Sequence, residues 1–201
     1  MLKTVRDSVS AGILIAIGGS VFLATQNRYV GAVLFSVALL CICYKSYFLF
    51  TGKVGYLVEN HKKDFIVNLI IGLFGNLITT FLLGLLLAVA IPNIGDAAKT
   101  VCEAKLGQSF WQTLVRGTFC GVLMYLAVSI FRDKKTPLAI LFCIPVFILS
   151  GFEHSIADMF YFGASRSFSP SVILFMIAVI LGNSVGAVIL PLLTPEAKEK
   201  T

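Results

Sequence analysis

The chain has 201 residues, of which 58% are hydrophobic and 13% charged, and its formal net charge is +6. Its mean hydropathy is +0.93. A soluble core of this size cannot hide so much apolar surface, so an ordinary soluble domain is excluded and one membrane domain over 1–201 is predicted. The short loops offer no basic surface of the kind that nucleic acid requires, so the positive charge does not indicate a nucleic-acid partner.

Six apolar segments are long enough to cross a membrane, since a hydrocarbon layer of about 30 Å takes roughly 20 helical residues. They lie near residues 8–25, 29–58, 65–92, 109–131, 136–163 and 170–193. A cleavable signal peptide is the alternative for the first segment, because Lys3 and Arg6 precede it. No small-residue cleavage site precedes a soluble domain, and further apolar segments follow. The sequence therefore predicts six membrane spans in lipid.

The basic residues of the loops predict the orientation of these spans. In a six-span arrangement most of them fall on one side, namely Lys3, Arg6, Lys62, Lys63, Arg132, Lys134, Lys135, Lys198 and Lys200. Arg28, Lys99, Lys105 and Arg166 fall on the other side. By the positive-inside rule both termini are cytoplasmic, as expected for a multi-pass protein of the cell's inner (cytoplasmic) membrane.

Two of the segments, 29–58 and 136–163, are too long to be ordinary straight spans at 1.5 Å per residue. Each contains a predicted interruption, LFTGKVG at 49–55 and SGFEH at 150–154. Backbone groups freed at such breaks must be satisfied by protein or by water in a cavity. Broken helices in corresponding positions of two halves indicate a binding site near the membrane midplane.

The two halves also share a Gly-Asn pair in the third span of each, Gly75-Asn76 and Gly182-Asn183. Because three spans reverse the direction of the chain, two such repeats have inverted topology. The predicted fold class is an all-α membrane protein of six transmembrane helices. Its inverted three-helix repeats occupy about 8–92 and 109–193, and its second and fifth helices are broken.

Three ionisable residues, Glu153, His154 and Asp158, lie inside an apolar segment. Such residues usually face an internal cavity and mark a substrate or ion pathway. His154 taken alone is equally well a packing histidine, but the broken helices and Asn183 favour a pore role. Glu153 is expected to cap or pair within the break. Asp158 follows His154 by four residues and is a candidate either to orient the imidazole or to serve the helix terminus.

The five cysteines carry no convincing metal or disulfide pattern. Cys41, Cys43, Cys120 and Cys143 lie in predicted spans, and Cys102 lies in a loop. Packing is their expected role, because small polarisable side chains are common in such interiors. Neither a metal nor a cofactor is predicted.

At these motifs the chain resembles the formate/nitrite transporter family, pentameric channels with an aquaporin-like protomer. SGFEHSIADMF closely resembles the family's fifth-helix signature, and LFTG resembles its second-helix loop. LGN resembles part of the sixth helix, and EAKLGQSFWQTLVRG the approach to the fourth. The resemblance covers nearly the whole chain and implies a homopentamer of channels.

Carried onto this sequence, the resemblance makes His154 the central pore histidine, Asn183 its polar companion and Thr51 a pore-lining hydroxyl. It makes Lys105 the lysine near the outer vestibule. The residues at the two hydrophobic constrictions are then Phe35, Leu39, Leu49, Phe50 and Phe147.

The sequence departs from the family's pattern at four positions. Phe48 stands where an acidic residue is common, and Lys53 where a small or polar one is usual. Asp158 and Gly121 each replace an expected asparagine. These departures alter the charge balance behind the pore and leave the preferred substrate open.

The residue chemistry predicts passage of a small weak acid. A monovalent anion cannot cross a dry apolar constriction with its full charge. Lys105 is expected to attract the anion, and His154 to hydrogen-bond it or assist its protonation. Formate is the first choice of substrate, crossing as the neutral acid in a proton-dependent way.

Other functions remain open at this stage. Nitrite or hydrosulfide are alternatives of the same kind, and an aquaporin-like pore for neutral solutes is another. An intramembrane enzyme is disfavoured. Glu153 and His154 would be its acid/base pair and Ser150 or Ser155 its nucleophile, yet adjacent helical residues point in different directions and no second catalytic constellation is apparent.

Overall fold

The computed structural model describes residues 1–194, which contain helices and no strand. The α-helices of this range are α1 (Leu2–Ala24), α2 (Arg28–Lys45), α3 (Lys63–Ala90), α4 (Pro92–Leu106), α5 (Phe110–Lys134), α6 (Leu138–Leu149), α7 (Ser155–Ser165) and α8 (Pro170–Leu193). Two 3-10 turns, Phe50–Gly52 and Val54–Val58, lie between α2 and α3. Lys198 and Lys200 of the orientation signal lie outside the described residues.

Helices α1, α2, α3, α5 and α8 are long and apolar enough to cross a membrane, and α6 is a shorter apolar helix. Large apolar side chains on their outer faces are exposed. On α3 these are Ile66, Ile70, Phe74, Ile78, Leu82, Leu86 and Val89. Their spacing places them along one face, which suits contact with lipid. The all-helical membrane fold predicted from the sequence is confirmed.

The predicted break in the fifth segment is confirmed. Helix α6 ends at Leu149, and α7 begins at Ser155. Between them Gly151 adopts φ +70°, a left-handed conformation that a residue with a side chain adopts only under strain. The chain thus turns sharply between the two half-helices.

The predicted interruption of the second segment is also present, and the stretch that follows α2 is not α-helical. Helix α2 ends at Lys45, four residues before the predicted break, where Ser46 adopts φ 56°. The chain then continues through the two 3-10 turns, which bury Phe50, Thr51 and Gly52. Hydrogen bonds between the backbone of this stretch and the side chain of Asn76 on α3 keep it from forming a continuous helix.

Asn76 of α3 holds the first break in place. Its amide nitrogen donates to the carbonyl oxygens of Ser8, at 2.8 Å, and Phe48, at 2.9 Å. Its amide oxygen accepts from the N–H of Phe50 at 2.8 Å. The N–H of Phe48 donates to the carbonyl of Asp7 at 3.3 Å. One buried amide therefore satisfies three backbone groups that the break and α1 leave unpaired.

Asn183 of α8 does the same for the second break. Its amide nitrogen donates to the carbonyl oxygens of Gly117, at 2.9 Å, and Glu153, at 2.8 Å. Its amide oxygen accepts from the N–H of Ser155 at 2.9 Å. The N–H of Glu153 donates to the carbonyl of Arg116 at 3.4 Å.

The same four hydrogen bonds thus recur in both halves of the chain. Phe48 and Phe50 of the first break make the same bonds as Glu153 and Ser155 of the second. The residues between them, Leu49 and His154, therefore occupy corresponding positions. The Gly-Asn repeat in the sequence therefore has a structural basis in its asparagines. The inverted orientation of the two repeats remains a prediction.

Glycines allow α5 and α8 to touch backbone to backbone. A Cβ on Gly182 would overlap the backbone of Leu114, and one on Gly121 would overlap the carbonyl of Asn183. Gly121, one of the departures from the family's pattern, is therefore required by this contact. Close helix approach at small residues is typical of membrane proteins.

Helix α4 was not predicted from the sequence, because no apolar run long enough to span a membrane lies between the third and fourth segments. Pro92 at its first turn suits a helix start. Its buried residues, among them Ile94, Ala98 and Cys102, recur every four residues on one face. This face packs α4 against α7, which brings Lys105 towards the second break.

We expect Asn76→Leu to lower the free energy of unfolding by at least about 3 kcal/mol, because three buried backbone groups lose their partner at about 1–3 kcal/mol each. Asn68→Leu on the same helix is the matched control. Asn68 is half-buried and accepts a single bond, from the Thr4 hydroxyl, so its loss should cost about 1 kcal/mol. Unfolding in mixed micelles measures both, and equal losses would contradict the bridging role of Asn76.

Candidate functional site

Two cavities lie at opposite ends of α2 and α5. The large cavity, of about 430 Å³, is lined by Arg28 at the start of α2 and by Arg116 near the start of α5. The small cavity, of about 120 Å³, is lined by Ser46 just after α2 and by Arg132 near the end of α5. His154 lines the large cavity and Leu49 the small one. The two corresponding break residues therefore separate the cavities.

His154 is 2% exposed and caps the first turn of α7. Its Nδ1 accepts from the N–H of Ala157 at 3.2 Å, and its Nε2 lies 2.8 Å from the hydroxyl of Thr51. An amide N–H only donates, so Nδ1 carries no hydrogen, and in the neutral ring Nε2–H donates to Thr51. A proton on Nδ1 would face the N–H of Ala157. The geometry thus favours a neutral imidazole that joins the two breaks.

Apolar side chains close the space around this histidine. The ring of Phe147 stacks on the imidazole at 5.6 Å between centroids, and Phe35 meets Phe147 edge-on at 6.4 Å. Leu39 and Leu49, both buried, line the small cavity. The structure therefore brings four of the five predicted constriction residues together between the cavities.

Phe50 is the exception. It lies in a separate apolar cluster with Val54, Leu69 and Ala187, and it lines neither cavity. The backbone at Leu49 is extended, and successive side chains of an extended chain point to opposite sides. When Leu49 faces the small cavity, Phe50 consequently faces away from it.

Lys105 reaches the large cavity from α4 and is committed to two carboxylates. Its ammonium forms ion pairs with Glu153 and with Asp158, the latter at 2.8 Å. Gln108 donates to the other oxygen of Glu153 at 2.7 Å, and the ring of Tyr161 lies 5.6 Å from the ammonium. Lys105 is thus part of a buried ionic cluster and not a free charge at a mouth.

The electrostatics keep Lys105 charged. Burial by itself lowers the pKa of its ammonium, but Asp158 and Glu153 raise it by more, so the pKa lies above its ordinary value. Helix α4 is not among the helices able to span a membrane. On the same helix burial raises the pKa of the Cys102 thiol to about 11, which suits the packing role expected of the cysteines.

Asp158 and Asn183 have partners other than those considered from the sequence. Asp158 binds Lys105, whereas both nitrogens of the imidazole are bonded to Ala157 and Thr51. The amide of Asn183 is fully buried and bonded to backbone on either side of His154. Asn183 therefore positions the break that carries the histidine, and it lines neither cavity.

Apart from Lys105, sequence reasoning missed the cations of both cavities. In the large cavity these are Arg28 and Arg116, which lie at its exposed rim. In the small cavity they are Lys53, Arg132 and Lys135, and among residues 1–194 its lining contains no acidic side chain. Arg132 is bonded to Asp133 and Glu59 and stacks on Tyr56. Lys53 was marked only as a departure, and the others lay in loops or at helix ends where cations are common.

Comparison with known proteins identifies a family, a curated relative and solved structures to which the chain is similar. The family model described as "Formate/nitrite transporter" matches residues 1–195. The uncharacterized transporter YwcJ of Bacillus subtilis (strain 168) is 29% identical over 220 residues, which cover 94% of this chain and 86% of that protein. A solved pentameric formate channel with formate bound has a TM-score of 0.79 and 25% identity, covering 96% of this chain and 94% of its own.

A second solved structure supports the fold. It is an ion channel of the FNT family with a TM-score of 0.75 and 23% identity, and it covers 94% of this chain and 85% of its own. The relatives and neighbours found are transporters and channels.

We expect Lys105→Ala to destabilise the protein by about 3–5 kcal/mol, because it removes the cation that balances the buried carboxyl groups of Glu153 and Asp158. Lys99→Ala on the same helix is the control. Lys99 pairs with Asp96, and their side chains are 59% and 72% exposed, so this loss should not exceed about 1 kcal/mol. Unfolding in detergent compares the two variants, and a small loss for both would contradict the buried cluster.

Proposed function

Since the chain belongs to the formate/nitrite transporter family, we propose that it conducts formate and that formate crosses the barrier as the neutral acid. Its class is a membrane channel for small anions, not an enzyme. Glu153 forms an ion pair with Lys105. Both ring nitrogens of His154 are hydrogen-bonded, to Ala157 and Thr51. The alternative of an intramembrane acid/base pair therefore has no support.

One observation carries the proposal: a buried imidazole, held in its neutral form, lies in an apolar layer between two cavities lined by cations. The cations lower the cost of bringing an anion into each cavity. The layer of Phe35, Phe147 and Leu49 offers no substitute for a hydration shell, so an unpaired charge there costs far more than a neutral group. A proton on the anion removes this cost.

Thr51 and His154 supply the polar groups that a small acid needs at the barrier. The Nε2–H of His154 donates, and the hydroxyl of Thr51 both donates and accepts. An acid that enters between them exchanges their mutual bond of 2.8 Å for bonds to its own carbonyl and hydroxyl. The exchange keeps the number of buried hydrogen bonds nearly constant.

Formate is preferred because it is the smallest carboxylate that suits a barrier made by single side chains. The match to a formate channel with formate bound supports this choice. Nitrite and hydrosulfide share its charge, small size and weak acidity. Uptake of all three into proteoliposomes ranks them, together with a neutral solute such as glycerol as the control for an aquaporin-like pore.

We further propose a homopentamer in the cytoplasmic membrane with both termini inside. The solved neighbour is described as pentameric, and exposed apolar faces such as that of α3 are available for contact with subunits or lipid. The basic loop residues support the orientation. Native mass spectrometry should give five copies, and monomers or dimers alone would contradict the assembly.

We expect His154→Phe to abolish formate uptake while the protein stays folded. The substitution keeps a ring against Phe147 but removes the imidazole hydrogen bonds to Thr51 and Ala157. His154→Asn should retain weak conduction through hydrogen bonding. His61→Phe, at the other histidine of the chain, lies in an exposed loop and should leave uptake unchanged.

The test compares initial uptake rates in proteoliposomes at matched amounts of protein with the same elution volume in detergent. Wild-type uptake by folded His154→Phe protein would remove the histidine from the mechanism. If His154→Phe and His61→Phe lowered the uptake rate equally, the effect would not be specific to His154.

We expect uptake to rise as external pH falls from neutral to mildly acidic. A carboxylic acid has a pKa of about 4, so about a thousandth is protonated at neutral pH, and one pH unit changes this fraction roughly tenfold. The raised pKa of Lys105 keeps its charge constant over this range. Uptake with a pH dye inside the vesicles measures the accompanying proton. A rate independent of pH, with one negative charge moved per formate, would contradict neutral passage.

A further inference from the structure

The ionic cluster of the large cavity has more acid than base. Glu153 and Asp158 share the single ammonium of Lys105. The side chains are 3%, 2% and 13% exposed, respectively. If both carboxylates were ionised, this buried cluster would carry one uncompensated negative charge. Such a charge is costly to bury and would repel an anion that enters the cavity.

The hydrogen bonds distinguish the two carboxylates. Glu153 has a donor on each oxygen, Gln108 on Oε1 and Lys105 on Oε2. Asp158 has Lys105 on Oδ1, whereas its buried Oδ2 has no hydrogen-bond partner among residues 1–194. The hydrogen-bond donors therefore stabilise the ionised form of Glu153. They stabilise the ionised form of Asp158 poorly, because a buried charged oxygen without a donor costs more than a neutral hydroxyl.

The large cavity contributes no second cation in contact with Asp158. Arg28 and Arg116 line the cavity at its exposed rim, and neither forms an ion pair with a described residue. Arg28 donates instead to the carbonyl of Ile148 at 3.1 Å. The other titratable groups near the cluster are Cys102 of α4, Cys120 of α5, Tyr161 of α7 and His154 at the start of α7. The thiols and the phenol are neutral when they hold their protons, and the hydrogen bonds of His154 favour its neutral form.

The remaining helices packed against α7 are α1, α3 and α8. Helix α8 contains no charged residue. Helices α1 and α3 meet α7 at Gly19 and Gly84, whose surroundings include Phe160. Their own charged residues lie more than two helical turns before these glycines, and they are Lys3, Arg6, Asp7, Lys63 and Asp64. None of these can replace Lys105 as a partner of Asp158.

We propose that Asp158 is a proton-binding site of the large cavity and holds a proton on Oδ2. The proton comes from water in the cavity, which Asp158 lines. With the proton bound, Lys105 and Glu153 form a neutral pair and the cavity accepts an anion. When the proton leaves at alkaline pH, the cluster gains a negative charge and repels the anion.

Infrared spectroscopy of the full-length protein in lipid tests the proton directly and does not depend on the substrate. At neutral pH we expect a carbonyl-stretch band of a protonated carboxylic acid, shifted by carbon-13 at the side-chain carboxyl of aspartate but not of glutamate. Asp158→Asn should remove the band. Asp96→Asn, at an exposed carboxylate of α4, should leave it. A missing band, or a shift with labelled glutamate alone, would overturn the proposal.

Transport provides a second test, which rests on the proposed function. Asp158→Asn keeps an oxygen for Lys105 and fixes the cluster in its neutral state. From neutral to alkaline pH, wild-type formate uptake should fall more steeply than that of Asp158→Asn, which should follow the protonated fraction of the substrate. A constant ratio of the two rates would overturn the role of Asp158 in setting the cavity charge. Absence of formate uptake in both proteins would instead contradict the proposed function, while the infrared test would still stand.

Discussion

The structure depends on one constraint, which is that backbone groups freed at a helix break within the membrane must find partners inside the protein. Two buried asparagines meet it. Asn76 bonds the first break and Asn183 the second, each through one amide oxygen and one amide nitrogen. Each also reaches the carbonyl of a neighbouring helix, at Ser8 or Gly117. Breaks fixed in this way place side chains between two cavities with little freedom to move.

A second constraint is electrostatic, because a channel for anions must attract charge at its mouths and reject it at its centre. In the proposed mechanism the cations of the large cavity differ in their contributions. Arg28 and Arg116 lie at the exposed rim, where an approaching anion meets them first. Lys105 lies deeper and is bonded to Glu153 and Asp158, so its charge anchors α4 to the second break. It contributes to the field of the cavity only as far as those carboxylates leave it uncompensated.

The sequence predicted features that depend on length, apolar runs or local motifs. It predicted the spans, the break at 150–154 and the burial of His154, because a charged or breaking residue inside an apolar run is visible locally. It missed α4, whose apolar positions recur on one face only and depend on packing against α7. It also assigned Lys105 to a mouth, because the ion pairs with Glu153 and Asp158 join segments about fifty residues apart in sequence.

The recurring hydrogen bonds offer a reason why one histidine is enough for the proposed barrier. The same backbone position between two asparagine-bound groups holds Leu49 in one half and His154 in the other. Leu49 supplies an apolar wall, and His154 supplies the polar contact with Thr51, two residues beyond Leu49. Two polar break residues would offer an ion a partial hydration shell, whereas two apolar ones would leave a neutral acid without hydrogen bonds. In the proposed mechanism, this asymmetry between the halves allows the barrier to exclude charge and still accept the neutral acid.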